Sequence, residues 1–302
     1  MIRQLSPGLD TGVYVVVGTP FLYIEESSTL VMADLHLGFE EAASRGLIYS
    51  LRRTSGYLAM FIPRIQLKRT ISLLERTLGK LRVKRVIVNG DLKHAFDRLL
   101  KQEKEEVTEL VKFLRESGVE DIVVVRGNHD NFIKPVLRRL GVSFINGIFT
   151  NSRGKRVLLV HGHEDVDTSG QDIVVIGHEH PSLKCFEVYK FPCFMKIPLA
   201  QGEKQLVVMP ATGPYHPGVV VTPFPSEYLS PIIRKQESLS AMSIITWIDL
   251  GEVSSRSVEY FETLETTEFS GYIRVERFRV DDHEYAVIEF KNYEAARFLC
   301  QL

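Results

Sequence analysis

The sequence predicts an α/β fold with parallel strand pairing in its first half, and three observations predict it. Five short β-branched, apolar runs each end abruptly in polar residues, helical periodicity separates two of them, and 44% of the 302 residues are hydrophobic, enough for a full-sized core. The runs are Leu30–Ala33 before Asp34, Val86–Val88 before Asn89-Gly90-Asp91, and Ile122–Val125 before Arg126-Gly127-Asn128-His129-Asp130. Val157–Val160 then leads to His161, and Ile173–Ile176 to Gly177-His178. Uninterrupted runs of this kind are what strands buried on both faces look like.

A helical stretch from about Ile65 to Leu78 precedes the second run. Between the second and third, Leu99 to Ser117 places Val107, Leu110, Val111 and Leu114 at helical spacing, with Gly118 at the expected stop. That is a strand-helix-strand unit, which calls for parallel pairing. From Ser182 to Val221 the chain turns to short strand-like pieces broken by Pro192, Pro198, Pro210, Pro214 and Pro217, as in an antiparallel sheet with loops. A polar connection, Pro223 to Ser243, leads to a core-like strand, Ile244 to Leu250. Residues 253–302 read as a strand (Tyr272–Val280), a turn at Asp281-Asp282-His283, a strand (Tyr285–Phe290) and a helix (Asn292–Leu299). The division is therefore a main domain, 1–252, and an extension, 253–302. The extension is too short to be a good independent domain and is expected to pack on the body or to serve oligomerisation.

With 37 Lys and Arg against 38 Asp and Glu, the net charge of −1 gives no global pull toward nucleic acid or membrane, so any such preference must be local. Residues 52–85 supply one: ten bases stand there against the single acid Glu75. Next to a phosphoester site such a run would attract nucleic acid; otherwise it is a solvated helix face. The extension is the reverse, with ten acids and six bases. No apolar run approaches the roughly 20 residues that span a bilayer, so a cytoplasmic protein is the default. Cys185, Cys193 and Cys300 have neither zinc-site spacing nor scaffold density and read as buried thiols in a reducing compartment.

Chemistry concentrates at the strand ends, where loops of an open α/β sheet converge. Asp34 and His36 are two apart, as are His178 and His180, so a still-extended backbone would point each pair to one side. Gly90, Gly127 and Gly177 lie where the chain must turn sharply or approach a ligand closely. Five strand-terminal fragments that supply Asp, His, Asp, Asn, His, His and His are hard to explain as core residues, each of which would need a buried polar partner. Seven donors exceed one ion's needs and suit two. Nitrogen and oxygen donors without thiolate favour manganese, iron, zinc or cobalt over a magnesium or calcium cage and do not choose among them; manganese is the first expectation, with nickel also open.

DLH, NGDLKH, GNHD, HGH and GHEHP, read in that order over roughly residues 30–181, resemble the metal-site signature of calcineurin-like metallophosphoesterases. Within that superfamily the chain is similar to the archaeal SbcD-related, Icc-like phosphoesterases, relatives of the DNA-ligase-associated phosphoesterases. The stretches Ala33–Glu40, Gly90–His94, Gly127–Phe132 and Leu229–Ile232 carry this likeness. The resemblance implies a four-layer α-β-β-α sandwich, here with a small C-terminal β-hairpin-plus-helix extension. It implies that Asp34, His36 and His180 hold one metal, that Asn128, His161 and His178 hold the other, and that Asp91 bridges them. His129 looks like the family's histidine that contacts substrate and protonates the leaving oxygen, while Lys93, His94 and Arg126 are candidates for substrate or supporting contacts. The implied activity is a two-metal phosphodiesterase acting on nucleic acid or a nucleotide through a metal-held hydroxide, with a link to DNA repair. The alternatives are a phosphomonoesterase on a small phosphorylated metabolite and an inactive, metal-bound scaffold.

Overall fold

Strands that are apolar on both faces need cover on both sides, and the chain supplies it with two stacked sheets and two helical layers. The computed structural model describes residues 1–5, 11–52, 62–185, 189–199, 204–216, 218–252, 259–260, 263–264 and 271–300, with the side chains of 46–52 excepted. β1 (Ile2–Gln4), β2 (Val13–Val16), β3 (Leu22–Ile24) and β4 (Thr29–Met32) form an antiparallel meander, whose first three strands were not anticipated although Val13–Val17 and Phe21–Ile24 are apolar runs. After α1 (Phe39–Arg52) and α2 (Gln66–Leu78) come β5 (Arg85–Asn89), α3 (Lys101–Glu116), β6 (Asp121–Val125), α4 (Lys134–Arg139) and β7 (Ser143–Ile145). β4 to β7 pair in parallel, so the first sheet runs in chain order from β1 to β7.

The second half adds β8 (Gly147–Ser152), β9 (Lys155–Val160), β10 (Ile173–Ile176), β11 (Pro181–Cys185), β12 (Tyr189–Leu199), β13 (Lys204–Val208) and β14 (Val219–Val220). A short α5 (Pro231–Arg234), then β15 (Ser243–Asp249), β16 (Ile273–Val280), β17 (His283–Phe290) and α6 (Tyr293–Cys300) complete the chain. The second sheet is ordered β16-β17-β15-β12-β13-β10-β9-β8, with β11 and β14 paired beside β12. Val15, Val31, Ile87 and Val123 of the first sheet meet Val157, Val175, Val207 and Ile245 of the second in the middle of the molecule. The outer face of the first sheet packs on Leu74 of α2 and on Val107, Leu110 and Leu114 of α3. The outer face of the second packs on Ile233 of α5 and on Ala296 and Leu299 of α6. This is the four-layer α-β-β-α sandwich.

Two readings of the sequence need correction. Pro192 and Pro198 do not break the chain into short pieces, because both lie inside the eleven-residue β12. The β15 ladder covers β12 only from Cys193 to Lys196, so each proline sits where β12 is paired on one edge and a missing N–H is tolerated. Cys185 and Cys300 are not thiols. They form a disulfide with Cα atoms 4.3 Å apart, a pairing between β11 and α6 that spacing in the sequence cannot reveal, and Cys193 is the buried free cysteine. Among the described residues no helix is long and apolar enough to cross a membrane.

β17 continues the second sheet beyond β15, pairing Ile244–Asp249 with Phe290–Tyr285. A buried charge cluster ties this hairpin to the first sheet. Arg3 of β1, 3% exposed, reaches Glu289 of β17 at 2.6 Å and Glu276 of β16 at 2.8 Å, and Lys196 of β12 reaches Glu289 at 2.6 Å. Burial pushes Glu289 up, but Lys196 and Arg3 together hold it below the ordinary glutamate range. Burial also pushes Lys196 down by more than Glu289 returns, so the lysine is the costlier partner.

Removing one member of such a cluster leaves uncompensated buried charge, which costs about 3–5 kcal/mol. Glu289→Gln should therefore lower the denaturant midpoint by a loss of that size, while replacing Arg3, Lys196 and Glu289 together by apolar residues should restore most of it. Because its folded pKa is depressed, the Glu289 contribution is complete above the ordinary value of 4.5 and is lost as pH falls through the folded value. Unfolding curves of wild type and Glu289→Gln should accordingly converge in acid.

Candidate metal centre

The carboxyl ends of β4, β5, β6, β9 and β10 meet at one edge of the sandwich. Asn89, the last residue of β5, donates its side-chain amide to Val160 O at 3.0 Å and Val175 O at 3.2 Å, joining the first sheet to β9 and β10. Beyond the strands, Asp34 N donates to Gly90 O at 3.0 Å, His36 N to Asp91 O at 2.9 Å, and Gly177 N to His161 O at 3.0 Å.

An extended backbone is not what aligns the paired residues here, contrary to the expectation from the sequence. Asp34, His36, Asp91, His178 and His180 have φ of 55°, 50°, 50°, 68° and 48°, all left-handed. Each such residue costs of the order of 1–3 kcal/mol and persists only where its surroundings over-determine it. Here they do: the Asp34 carboxylate accepts from His178 N at 3.2 and 3.1 Å, and the Asp34 carbonyl accepts from Gly213 N at 3.0 Å. The reversed turns bring the side chains inward from both sheets.

Asp91 Oδ2 lies 3.4 Å from His161 Nε2 and 3.7 Å from His36 Nε2. On the His36 side, His180 Nε2 is 3.2 Å from Asp34 Oδ1 and 3.4 Å from His36 Nε2. On the other side, His161 Nε2 is 3.2 Å from Asn128 Oδ1, and His178 offers a nitrogen within 4.8 Å of donors on Asp91 and His161. Donors that share an ion at about 2.1 Å stand roughly 3.0–3.4 Å apart in octahedral or tetrahedral geometry, so these spacings fit metal ions. All seven donors anticipated from the sequence are brought together.

His216 was not anticipated. It joins His36 and His180 as a further donor group, its ring 4.1 Å from that of His36, and its buried Nε2 has no hydrogen-bond partner. The available signal is that the apolar run through Val207 and Val208 of β13 also ends in a polar loop, Thr212 to His216, as the other five runs do.

His129 N donates to Asp91 Oδ1 at 2.9 Å, and its ring Nδ1 donates to the His94 carbonyl, which leaves Nε2 as the nitrogen able to exchange a proton. His94 stands beside it, 5.3 Å between rings from His36. Lys93 is turned elsewhere, its ammonium held by the carbonyls of Ala95 and, at 2.9 Å, Arg98. Arg126 is exposed at the end of β6, on the side of His163.

Burial pushes His36 well below its ordinary range, and burial with neighbouring imidazoles brings His94, His178 and His216 down to about 4. All four are neutral at pH 7, the form in which imidazole binds a metal. Burial also pushes His161 down, but Asp91 and Asp34 outweigh it and carry it up to about 9, and His161 in turn draws Asp91 far below the carboxylate range. A cation held by this pair would compete with that proton.

The model of the calcineurin-like phosphoesterase family matches residues 27–192, a segment that includes all seven donors and His129. The chain belongs to this family. It is a metal-dependent hydrolase, and its family binds divalent ions at sites of this kind. No curated protein sequence matches the chain. Among solved structures, a Pseudomonas putida nuclease MPE is 19% identical with a TM-score of 0.51, over 78% of this chain and 91% of that one. A protein of unknown function from Aquifex aeolicus is 19% identical with a TM-score of 0.31, over 50% of this chain and 78% of that one. Vacuolar Protein Sorting 29 from Cryptosporidium parvum is 16% identical with a TM-score of 0.34, over 87% of this chain and 97% of that one.

In this phosphoesterase a buried polar frame holds the loops. Asp130, 1% exposed, accepts from Leu92 N at 2.9 Å and Gly127 N at 2.8 Å and so locks the β5 loop to the β6 loop. Glu40 Oε1 accepts from Ile65 N and Gln66 N at 3.0 Å each, capping α2, and Glu106 accepts from Gly38 N at 2.8 Å. Glu103 accepts from Leu100 N at 2.6 Å and Ala95 N at 2.5 Å, fixing the loop that carries His94.

Two glycines let the loops close on the donors. Gly90 has φ 92°, and a Cβ there would lie 2.1 Å from His161 Nδ1; a Cβ on Gly127 would lie 2.1 Å from Asp91 Oδ1 and 2.3 Å from Asp91 N. Gly127→Ala should therefore lower the manganese retained per chain at limiting metal, read by elemental analysis, with the far-ultraviolet circular dichroism unchanged. Retention at the wild-type level would show that the Asp91 loop adapts freely.

Proposed function

We propose that the chain is a phosphodiesterase for nucleic acids or nucleotides, working with two divalent transition-metal ions held by Asp34, His36, Asp91, Asn128, His161, His178 and His180. Asp34, His36 and His180 would hold one ion, Asn128, His161 and His178 the other, and Asp91 would serve both, as suits an oxygen that stands 3.7 Å from His36 Nε2 and 3.4 Å from His161 Nε2. Nitrogen and oxygen donors without sulfur suit manganese, iron, zinc, cobalt or nickel. Bound there, the two ions supply a nucleophile at neutral pH and neutralise charge on the phosphoryl oxygens.

The chain's own residues do the rest. Asp91 aligns His129 through the backbone N–H at 2.9 Å, and the His94 carbonyl accepts the hydrogen bond from Nδ1–H, so Nε2 is the atom that protonates the leaving oxygen. The motif set that resembles the SbcD-related, Icc-like phosphoesterases supports the same reading, including its link to DNA repair.

The observation that carries diester over monoester is that the donor cluster lies between two cavities. One, of about 820 Å³, is lined by His180 and His216; the other, of about 580 Å³, is lined by His94 and His129. A diester has a substituent for each side, and a monoester fills only one. The Pseudomonas putida protein is named a nuclease, which agrees with this reading but carries the fold alone at 19% identity.

The manganese-loaded protein should hydrolyse bis(p-nitrophenyl) phosphate with a higher kcat/KM than p-nitrophenyl phosphate. The reverse order would make it a monoesterase, and turnover of neither would favour the scaffold. His129→Asn should keep the metal but lose about 10²–10⁴-fold in rate on diesters of poor leaving groups. Nitrophenyl esters, whose leaving groups need little protonation, should lose much less; equal losses would remove His129 from the proton-transfer role.

A further inference from the structure

The cavity beyond His180 and His216 holds about 820 Å³, within the range of roughly 300–1,000 Å³ that ligand pockets occupy. α2 forms one wall, with Arg69 and Arg76, and the second sheet the other, with Lys190 of β12 and Trp247 of β15. Glu252 is the acid in its lining. Among the described residues none of the three cations has a carboxylate partner: Arg76 donates to the Tyr285 hydroxyl at 3.2 Å, and Lys190 to the Gly218 carbonyl. Unneutralised cations on a concave wall raise the local concentration of an anion.

One further observation points to a ligand. The cavity continues past Arg76, Lys190 and Trp247 into a second one of about 450 Å³, where Tyr189, His283 and the acid Asp249 join the lining. The first cavity, with three cations against one acid, starts beside the metal centre and carries an aromatic ring in its wall, the make-up of a single-strand binding groove.

We propose that this groove binds the nucleotide next to the cleaved phosphodiester. Arg69, Arg76 and Lys190 take its phosphate, and its base stacks on Trp247. The substrate is then an unpaired DNA or RNA strand, because a base held in a duplex is not free to lie on the indole. The proposal rests on the phosphodiesterase reading and adds to it a position for the flanking nucleotide. It also gives the basic α2 a function that the net charge of −1 conceals.

Trp247 is the chain's single tryptophan, so its emission reports on the groove directly. Manganese-loaded protein titrated with phosphorothioate tetrathymidylate, which resists hydrolysis, should show saturable quenching that inorganic phosphate at the same concentration does not produce. Arg69→Gln combined with Lys190→Gln should weaken the binding at least tenfold and lower the slope of log affinity against log salt by roughly 0.7 for a phosphate left without its cations. The manganese retained per chain by the same variant should stay at the wild-type level, which separates a groove effect from loss of the metal centre. With a labelled tetrathymidylate, Trp247→Phe should keep affinity within a few-fold and Trp247→Ala should lose it. Unchanged affinity and salt slope in the double variant overturn the proposal, as does quenching by phosphate alone. Absence of turnover on the nitrophenyl diester would sink the phosphodiesterase reading by itself, while the titration still decides whether the groove takes a strand.

Discussion

The joining of two separate sheets at their carboxyl edge is the constraint on which the rest of the molecule depends. Asn89 carries it most directly, standing at the end of β5 and donating across the sandwich to β9 and β10 at 3.0 and 3.2 Å. Thr212 N to Ala33 O, at 2.9 Å, adds a second tie from the loop after β13. Without these ties Asp34, His36, Asp91 and Asn128 would belong to one sheet and His161, His178 and His180 to the other, and the candidate donor cluster would be split in two. The apolar contact between the sheets supplies most of the driving force for stacking but has no directional preference, whereas amide-to-carbonyl bonds fix which strand end meets which.

That arrangement carries a cost that only its function explains. Five of the nine described non-glycine residues with left-handed conformations sit at this cluster, four histidines are pressed toward neutrality, and His36 Nδ1 and His216 Nε2 are buried without hydrogen-bond partners. A fold selected for stability alone would not concentrate strain and unsatisfied nitrogen at one point. Divalent ions relieve much of it by taking up imidazole lone pairs and offsetting the carboxylates. The stiff polar frame of Asp130, Glu40, Glu103 and Glu106 holds the loops meanwhile, so the donors are prearranged rather than gathered by the metal.

The strands buried on both faces were legible in the sequence because a run of Val and Ile that stops at polar residues suits a buried strand and little else. The meander β1 to β3 was missed although Val13–Val17 and Phe21–Ile24 are apolar runs, because turns follow these runs rather than the histidine-bearing fragments that marked the others. Seven donors were legible because each follows such a run within a few residues. His216 escaped because its loop is long and rich in Gly and Pro, and the frame of glutamates escaped because Glu40, Glu103 and Glu106 lie on helices, where a carboxylate ordinarily faces solvent. Burial by another element is a tertiary fact with no local signature. The same limit hid the Cys185–Cys300 disulfide and the meeting of α2 with β12 and β15 around a cationic cavity. Within the basic run, residues 53–61 lie outside the described residues, and Arg69 and Arg76 are the members that line the cavity.

Anomalous diffraction from manganese-soaked crystals tests the central claim most directly. Two anomalous peaks about 3.5–4 Å apart, one on each side of the Asp91 carboxylate, are the expected result. The first should lie among Asp34, His36 and His180, and the second among Asn128, His161 and His178. A single peak, or two peaks that do not share Asp91, would contradict it.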